Sequence, residues 1–335
     1  MKFVLIAILT FMSVNVMAMD SVATEKGKVE NKVAESEEPK GKAIVSVFAN
    51  FNMAMQNGVS KCGFQLDRTY LGYQYSLGKG LELKAVMDIG KPSSVDDYHY
   101  VAYIKNAQVS WKHKGLTLTG GMISTTQFNM QEKFWGYRYI YKSFQDQYKF
   151  GSSADLGLSV AYKFADWVSA DAIMTNGEGY KKIQGDLGFQ YGLGLTFTPV
   201  EGLSLRVYGG LNDATEAEKV NVYNYAAFVG YKNKVFSLGG EFAMMQNSGN
   251  VKSRNQLGCS VYGSVKAHKI VDVYARWDML TSNNGWNAAK DEMAVIAGAQ
   301  VKLGKYVKIA PNFRMTIPKE GECKYMAYVS CYFGL

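Results

Sequence analysis

The sequence predicts an all-β fold, a transmembrane antiparallel β-barrel of about 16 strands with one long loop folding into it. Three observations carry this. From Ala43 to Leu335 the chain changes character at every second residue. Successive strand side chains point to opposite faces, so such segments have one apolar and one polar face. The segments recur about every 15 to 20 residues, which suits roughly 10-residue strands plus their connections. Finally, tight and long connections alternate along the chain, and a soluble β-sandwich has no reason to sort its loops this way.

Composition agrees. The five prolines are few for 335 residues, as expected where proline removes a ladder hydrogen bond. The 34 glycines and 23 tyrosines are many, and glycine permits bends in a curved sheet. The mean hydropathy of −0.14 does not argue against a membrane, because only the outward half of each strand must be apolar. The formal net charge of +8 is modest. It suits either an anion-favouring lumen or a surface against anionic lipid. No clustered basic helix or binding motif points to nucleic acid.

Along the chain, Lys2 followed by the apolar run Phe3 to Phe11 and by Val16-Met17-Ala18 has the form of a signal peptide over 1–18. Residues 19–42 carry six acids, five lysines and no aromatic residue, and form a solvated leader. The barrel spans 43–335. Its strands begin near Ala43, Gly63, Gly80, Ile104, Gly115, Ser153, Trp167 and Leu187 in the first half. In the second half they begin near Gly202, Asn221, Val235, Arg254, Lys269, Lys290, Tyr306 and Lys324.

The outward rows are apolar: Leu187, Phe189, Tyr191, Leu193, Leu195 and Phe197, or Val307, Ile309, Phe313 and Met315. On the same register Arg68, Lys84, Arg206, Arg276 and Arg314 face the lumen. The opposite register would put charge in lipid at a cost of about 2 to 4 kcal/mol each. Tight connections fall at 77–80, 113–115, 165–167, 199–202, 232–234, 267–269 and 304–306. Long ones fall at 91–103, 126–152, 177–186, 212–220, 247–253 and 282–289. Short periplasmic turns and long external loops place both termini on the periplasmic side. The last strand ends at Leu335, where a closing strand can pair with the first and remove its edge. Tyr70, Tyr73, Tyr75, Trp111, Tyr162, Trp167, Tyr231 and Tyr306 cluster near strand ends as an interfacial girdle; ordinary β-propensity is the alternative.

No catalytic constellation stands out, so the chain reads as no enzyme. His99, His113 and His268 lack ligand spacing, and neither a metal nor a cofactor is expected. The pieces Gly192-Leu193-Gly194 and Gly185-Asp186-Leu187-Gly188 lack the βαβ context of a dinucleotide fingerprint. Export permits disulfides, yet Cys259 and Cys331 sit at outward positions. Cys62 and Cys323 are separated by a strand, beyond comfortable bridging distance.

The longest connection is the unusual one. Between Thr126 and Ser152 it holds nine aromatic residues with Glu132, Lys133, Arg138, Lys142, Asp146 and Lys149. So long and aromatic a loop is expected to fold inward and narrow the lumen; a compact external cap is the alternative. Its four cations and two acids leave +2.

The run EKFWGYRYIYKSFQDQYKFGSSADLG, with LDRTYLGYQY at 66–75 and MTNGEGYKKIQGD at 174–186, resembles porins of Bacteroidetes-type bacteria. It is similar to the phosphate-selective porin O and P family. That resemblance implies an outer-membrane pore, trimers, and a basic constriction that selects anions. Lys133, Arg138, Lys142 and Lys149 lie in the matching loop, diluted by Glu132 and Asp146. The expected function is passive diffusion of small hydrophilic or anionic solutes across the bacterial outer membrane, with weak anion preference. The rival is a closed barrel serving as adhesin or structural protein.

Overall fold

The computed structural model describes residues 40–56, 59–92 and 100–335. Strands β1 (Lys40–Gln56), β2 (Val59–Gly78), β3 (Leu81–Gly90), β4 (Val101–His113) and β5 (Leu116–Ser124) precede the long loop. The loop carries two short helices, α1 (Asn129–Trp135) and α2 (Phe144–Gln147). After it come β6 (Ala154–Ala165), β7 (Val168–Thr175), β8 (Gln190–Phe197), β9 (Leu203–Asn212), β10 (Val222–Lys232) and β11 (Phe236–Gln246). The chain finishes with β12 (Gln256–His268), β13 (Val271–Ser282), β14 (Glu292–Leu303), β15 (Val307–Pro318) and β16 (Lys324–Gly334).

Each strand pairs antiparallel with its sequence neighbours, and β16 closes on β1 from Ser46↔Gly334 to Met55↔Tyr325. Closure satisfies every strand edge internally, which a strand-built membrane span requires. No helix among the described residues is long and apolar enough to cross a membrane; the strands span it.

The alternation decides which way each strand faces. In β13, Asp272, Tyr274, Arg276 and Asp278 are buried in the lumen while Val273 is 47% exposed outward. Outward aromatic residues form the expected belt, with Tyr73, Trp111, Tyr162, Trp167, Tyr231 and Tyr306 all exposed. Tyr70 departs from it: it packs inward on Phe48. Two bulges matter for the lumen. One leaves Asp67 of β2 unpaired, the other Lys105 of β4.

Strand 1 starts at Lys40, three residues before the expected Ala43, so the end of the leader joins the barrel. The signal peptide and residues 19–39 lie outside the described residues, as does His99. Strand 8 starts at Gln190. Leu187 and Phe189 fit the outward parity but belong to the preceding loop, where the Asp186 carboxylate caps the Gly188 amide at 2.7 Å. Such an Asx turn competes with the ladder for the backbone.

At one end the strands are joined by turns such as Lys79-Gly80 and Lys114-Gly115, each with both residues at positive φ. That is the backbone twist a two-residue hairpin needs. The longer connections gather at the other end, with the short β1–β2 hairpin as the exception. All four cysteines are free thiols.

Candidate functional site

The long loop lies inside the barrel. Its base closes through the Thr125 amide donating to Ser153 O at 3.2 Å. Trp135 of α1 packs edge-on against Tyr262 of β12 and Tyr274 of β13, with ring centroids 5.4 and 6.1 Å apart. Tyr139 reaches Phe48 and Tyr332, and its hydroxyl donates to Gln300 Oε1 at 2.8 Å. Phe144 of α2 is fully buried. Lumen-facing glycines receive these rings: a Cβ on Gly258 would come within 2.7 Å of Phe144 Cζ. The loop therefore covers the wall formed by β9 to β16 and β1.

Three lumen arginines fasten it there. Arg206 of β9 makes a two-pronged pair with Asp171 at 2.6 and 2.9 Å and donates to Thr126 O at 2.8 Å. Arg276 of β13 pairs with Asp278 at 2.7 Å and donates to Lys142 O at 2.7 Å. Arg314 of β15 lies 3.6 Å from the Tyr328 ring centroid and donates to Ile140 O at 2.7 Å. All three face the lumen as the alternation requires. The structure places them beneath the loop, with Arg276 only 2% exposed, rather than along open solvent. In Arg206 and Arg276 the fixed fork of the guanidinium suits this double task of holding a carboxylate and a carbonyl.

On the opposite wall Asp88, Asn106 and Ser110 are buried, but other lumen side chains stay partly exposed. Lys84 of β3, Lys105 and Gln108 of β4, Thr119 of β5 and Ser159 of β6 all keep solvent exposure. The free space thus runs between the loop's open edge and the β2–β6 wall.

On the loop edge, Arg138 pairs with Glu132 at 2.9 Å and Asp146 at 2.8 Å, and Lys142 stands 3.8 Å from Asp146. Burial would raise the Asp146 pKa, but Arg138 first, then Lys142, Lys105 and Arg68, hold it below the ordinary carboxylate value. Burial lowers the Lys142 pKa against the pull of Asp146. Lys133 and Lys149 are exposed and stand outside this cluster.

The facing wall is basic too. Arg68 of β2 pairs with buried Asp88 at 3.2 Å and donates to Tyr70 Oη at 3.0 Å. Lys105 Nζ donates to the same hydroxyl at 3.1 Å. Lys181, from the loop after β7, lies over the Tyr103 ring at 4.7 Å, and burial lowers its pKa. Tyr180 donates to Asp88.

Lys105 and Lys181 are additions to the sequence-derived set. Strict alternation from Ala107 sends Lys105 outward, and only the bulge turns it in. The adjacent polar pair Lys105-Asn106 is the sequence signal for that break. Lys181 lies in a loop, where no periodicity exists to read. Among the described residues no group of three or more His, Cys, Asp or Glu could hold a metal ion.

No protein-family model matches the sequence, and neither does any curated protein. Solved structures do match. OmpF of Salmonella typhi aligns with a TM-score of 0.69 at 11% identity, over 88% of this chain and 97% of that one. The anion-selective porin from Comamonas acidovorans aligns at 0.64 and 12%, over 89% and 100%. The outer-membrane expressed OmpT of Vibrio cholerae aligns at 0.64 and 14%, over 90% and 99%. The likeness is one of fold: a 16-stranded outer-membrane barrel.

Proposed function

We propose that this chain forms a passive diffusion channel for small hydrophilic solutes in the bacterial outer membrane, with a weak preference for anions. The observation that carries the proposal is the asymmetry of the lumen. The loop buries one half of the wall, while the other half keeps partly exposed polar side chains between two basic banks. Arg138 and Lys142 stand on the loop edge, with Arg68, Lys105 and Lys181 facing them.

Each bank carries acids, but Asp88, Asp146 and Glu132 are already paired to arginine. Among these eight groups five are cationic, so the excess is +2. Where walls lie within a Debye length, about 8 Å at physiological salt, such an excess biases which ion enters. Lys133 and Lys149, exposed on the loop, and Lys84, on the inward face of β3, add further positive charge. The names of the neighbouring structures support the reading, since one is an anion-selective porin. They also support assembly as a homotrimer, since the OmpT of Vibrio cholerae has a trimer form.

Planar-bilayer recording of the purified protein tests this. Discrete conductance steps are expected, with a reversal potential of anionic sign across a KCl gradient that shrinks as salt rises. Absence of channel events at any salt would refute the channel and favour a closed adhesin-type barrel.

A further inference from the structure

The turns at the short-loop end share a charge pattern that the lumen does not explain. Six of the seven carry an exposed lysine, one of each being Lys79, Lys114, Lys163, Lys234, Lys269 and Lys305. With the further lysines of these turns and the exposed start of β1, eleven exposed lysines among the described residues stand at this rim, against Asp166 and Glu201 as the exposed acidic side chains described there. One lysine, Lys163, pairs with Asp166 at 2.6 Å, and the pair is solvent-exposed. Around the opposite end the pattern differs: Lys182, Lys219 and Lys319 alternate with Asp186, Glu218 and Glu320.

The lysines sit at a defined depth. Directly beside them, on the outward face, are Trp111, Tyr162, Trp167, Tyr231 and Tyr306, all exposed. Trp167 stacks on Phe197, Tyr231 meets Phe236, and Lys305 Nζ lies 5.4 Å from the Tyr306 ring centroid. Outward Trp and Tyr mark the level where acyl chains give way to headgroups. Lysines one to three residues from them, namely Lys112, Lys114, Lys163, Lys232, Lys234 and Lys305, therefore stand at headgroup height, where their flexible stems reach phosphate.

We infer that this lysine rim binds the anionic phospholipid headgroups of the periplasmic leaflet and anchors the barrel at a fixed depth. A ring of like charges with few paired acids is self-repelling, and an anionic leaflet relieves that repulsion. Each basic side chain near an anionic surface strengthens attraction about fivefold. The inference uses the orientation adopted above, with the short turns in the periplasm, and is independent of whether the lumen conducts.

The test uses the full-length protein reconstituted with equal amounts of phosphatidylglycerol and phosphatidylcholine, then extracted gently for native mass spectrometry of retained lipid. A variant with Lys79, Lys114, Lys163, Lys234, Lys269 and Lys305 all changed to Gln is compared with one carrying Lys182→Gln, Lys219→Gln, Lys252→Gln, Arg254→Gln, Lys290→Gln and Lys319→Gln. The wild type and the second variant should retain phosphatidylglycerol over phosphatidylcholine roughly fivefold, and the first variant should lose that preference. Equal retention of the two lipids by the wild type, or equal loss in both variants, overturns the inference. So does preferential capture of a soluble carboxylate-rich peptidoglycan fragment with no lipid preference. Conductance is recorded on the same preparations. A silent wild type that keeps the lipid preference would remove the channel and leave the lipid site standing, and folded variants are recognised by unchanged circular dichroism.

Discussion

Lys105 brings its charge into the lumen because β4 holds one residue more than β3 does at that point. Its ammonium donates to Tyr70 Oη and faces Asp146 across the free space. Lys105→Gln should therefore move the KCl-gradient reversal potential toward zero while leaving conductance at high salt nearly unchanged, since screening removes the bias there. An unaltered potential would mean that Lys105 does not sense the passing ion. Lys142 gives a pH signature. Its pKa lies below the ordinary lysine value of 10.5, chiefly through burial. A lowered lysine pKa means that the charge is lost earlier as pH rises. The anion preference should thus begin to fade before ordinary lysines titrate, and Lys142→Met should diminish that early phase, leaving the share of Lys181, whose pKa burial also lowers. If Lys142→Met leaves the pH profile of the reversal potential as it was, the assignment to this residue fails.

The inward loop is an element whose position is set by partners from the wall, more than by its own short helices. An isolated seven-residue helix such as α1 has little stability of its own. What holds it is the packing of Trp135 on Tyr262 and Tyr274, and the arginines donating to loop carbonyls. Arg276→Met should cost about 3 to 5 kcal/mol, because Asp278 is left buried without its partner. Removing both charges in Arg276→Met with Asp278→Asn should cost less than the single change. Urea unfolding in vesicles measures both, and a double variant less stable than the single one would contradict this account. Gly258→Val should drive a side chain into both the Met279 carbonyl oxygen and Phe144 and destabilise by about 1 to 3 kcal/mol. It should also raise open-channel noise as α2 loosens, and a quiet channel of wild-type stability would show that the cradle is not needed.

At the scale of the whole molecule, sixteen paired strands and a belt of outward aromatic residues make a single rigid wall on which the loop is mounted. Because the loop contacts strands far apart in sequence, from Phe48 in β1 to Gln300 in β14, the lumen shape depends on closure of the barrel. The homotrimer is a prediction at this scale. Native mass spectrometry of the detergent-solubilised protein should give three copies per particle and three equal conductance steps per insertion. Particles of one copy with a single step would withdraw the trimer and keep the one-barrel channel.

The period-2 pattern and the sorted connections were enough to expect about sixteen strands and to say which side of β13 or β15 meets lipid, whereas the exact count came from the closed ladder. The expected number and the lipid-facing side are local properties: alternation is written in adjacent residues, and a charge facing lipid is disfavoured whatever the strand's neighbours are. That the aromatic loop must pack its rings was likewise legible, but a compact external cap would also remove them from water, and the contacts with the inner wall are what place it inside. What the pattern did not contain was the use made of each inward charge. Arg206, Arg276 and Arg314 read the same as Arg68 and Lys84, since all five have inward parity. Only the fold brings Thr126, Lys142 and Ile140 carbonyls to the first three and leaves the others beside solvent. Lys105 was hidden by a bulge, which depends on its partner strand, and Lys181 by lying in a loop. Side-chain parity is decided two residues at a time, whereas hydrogen-bond partners and bulges are decided between strands that meet only when the barrel closes.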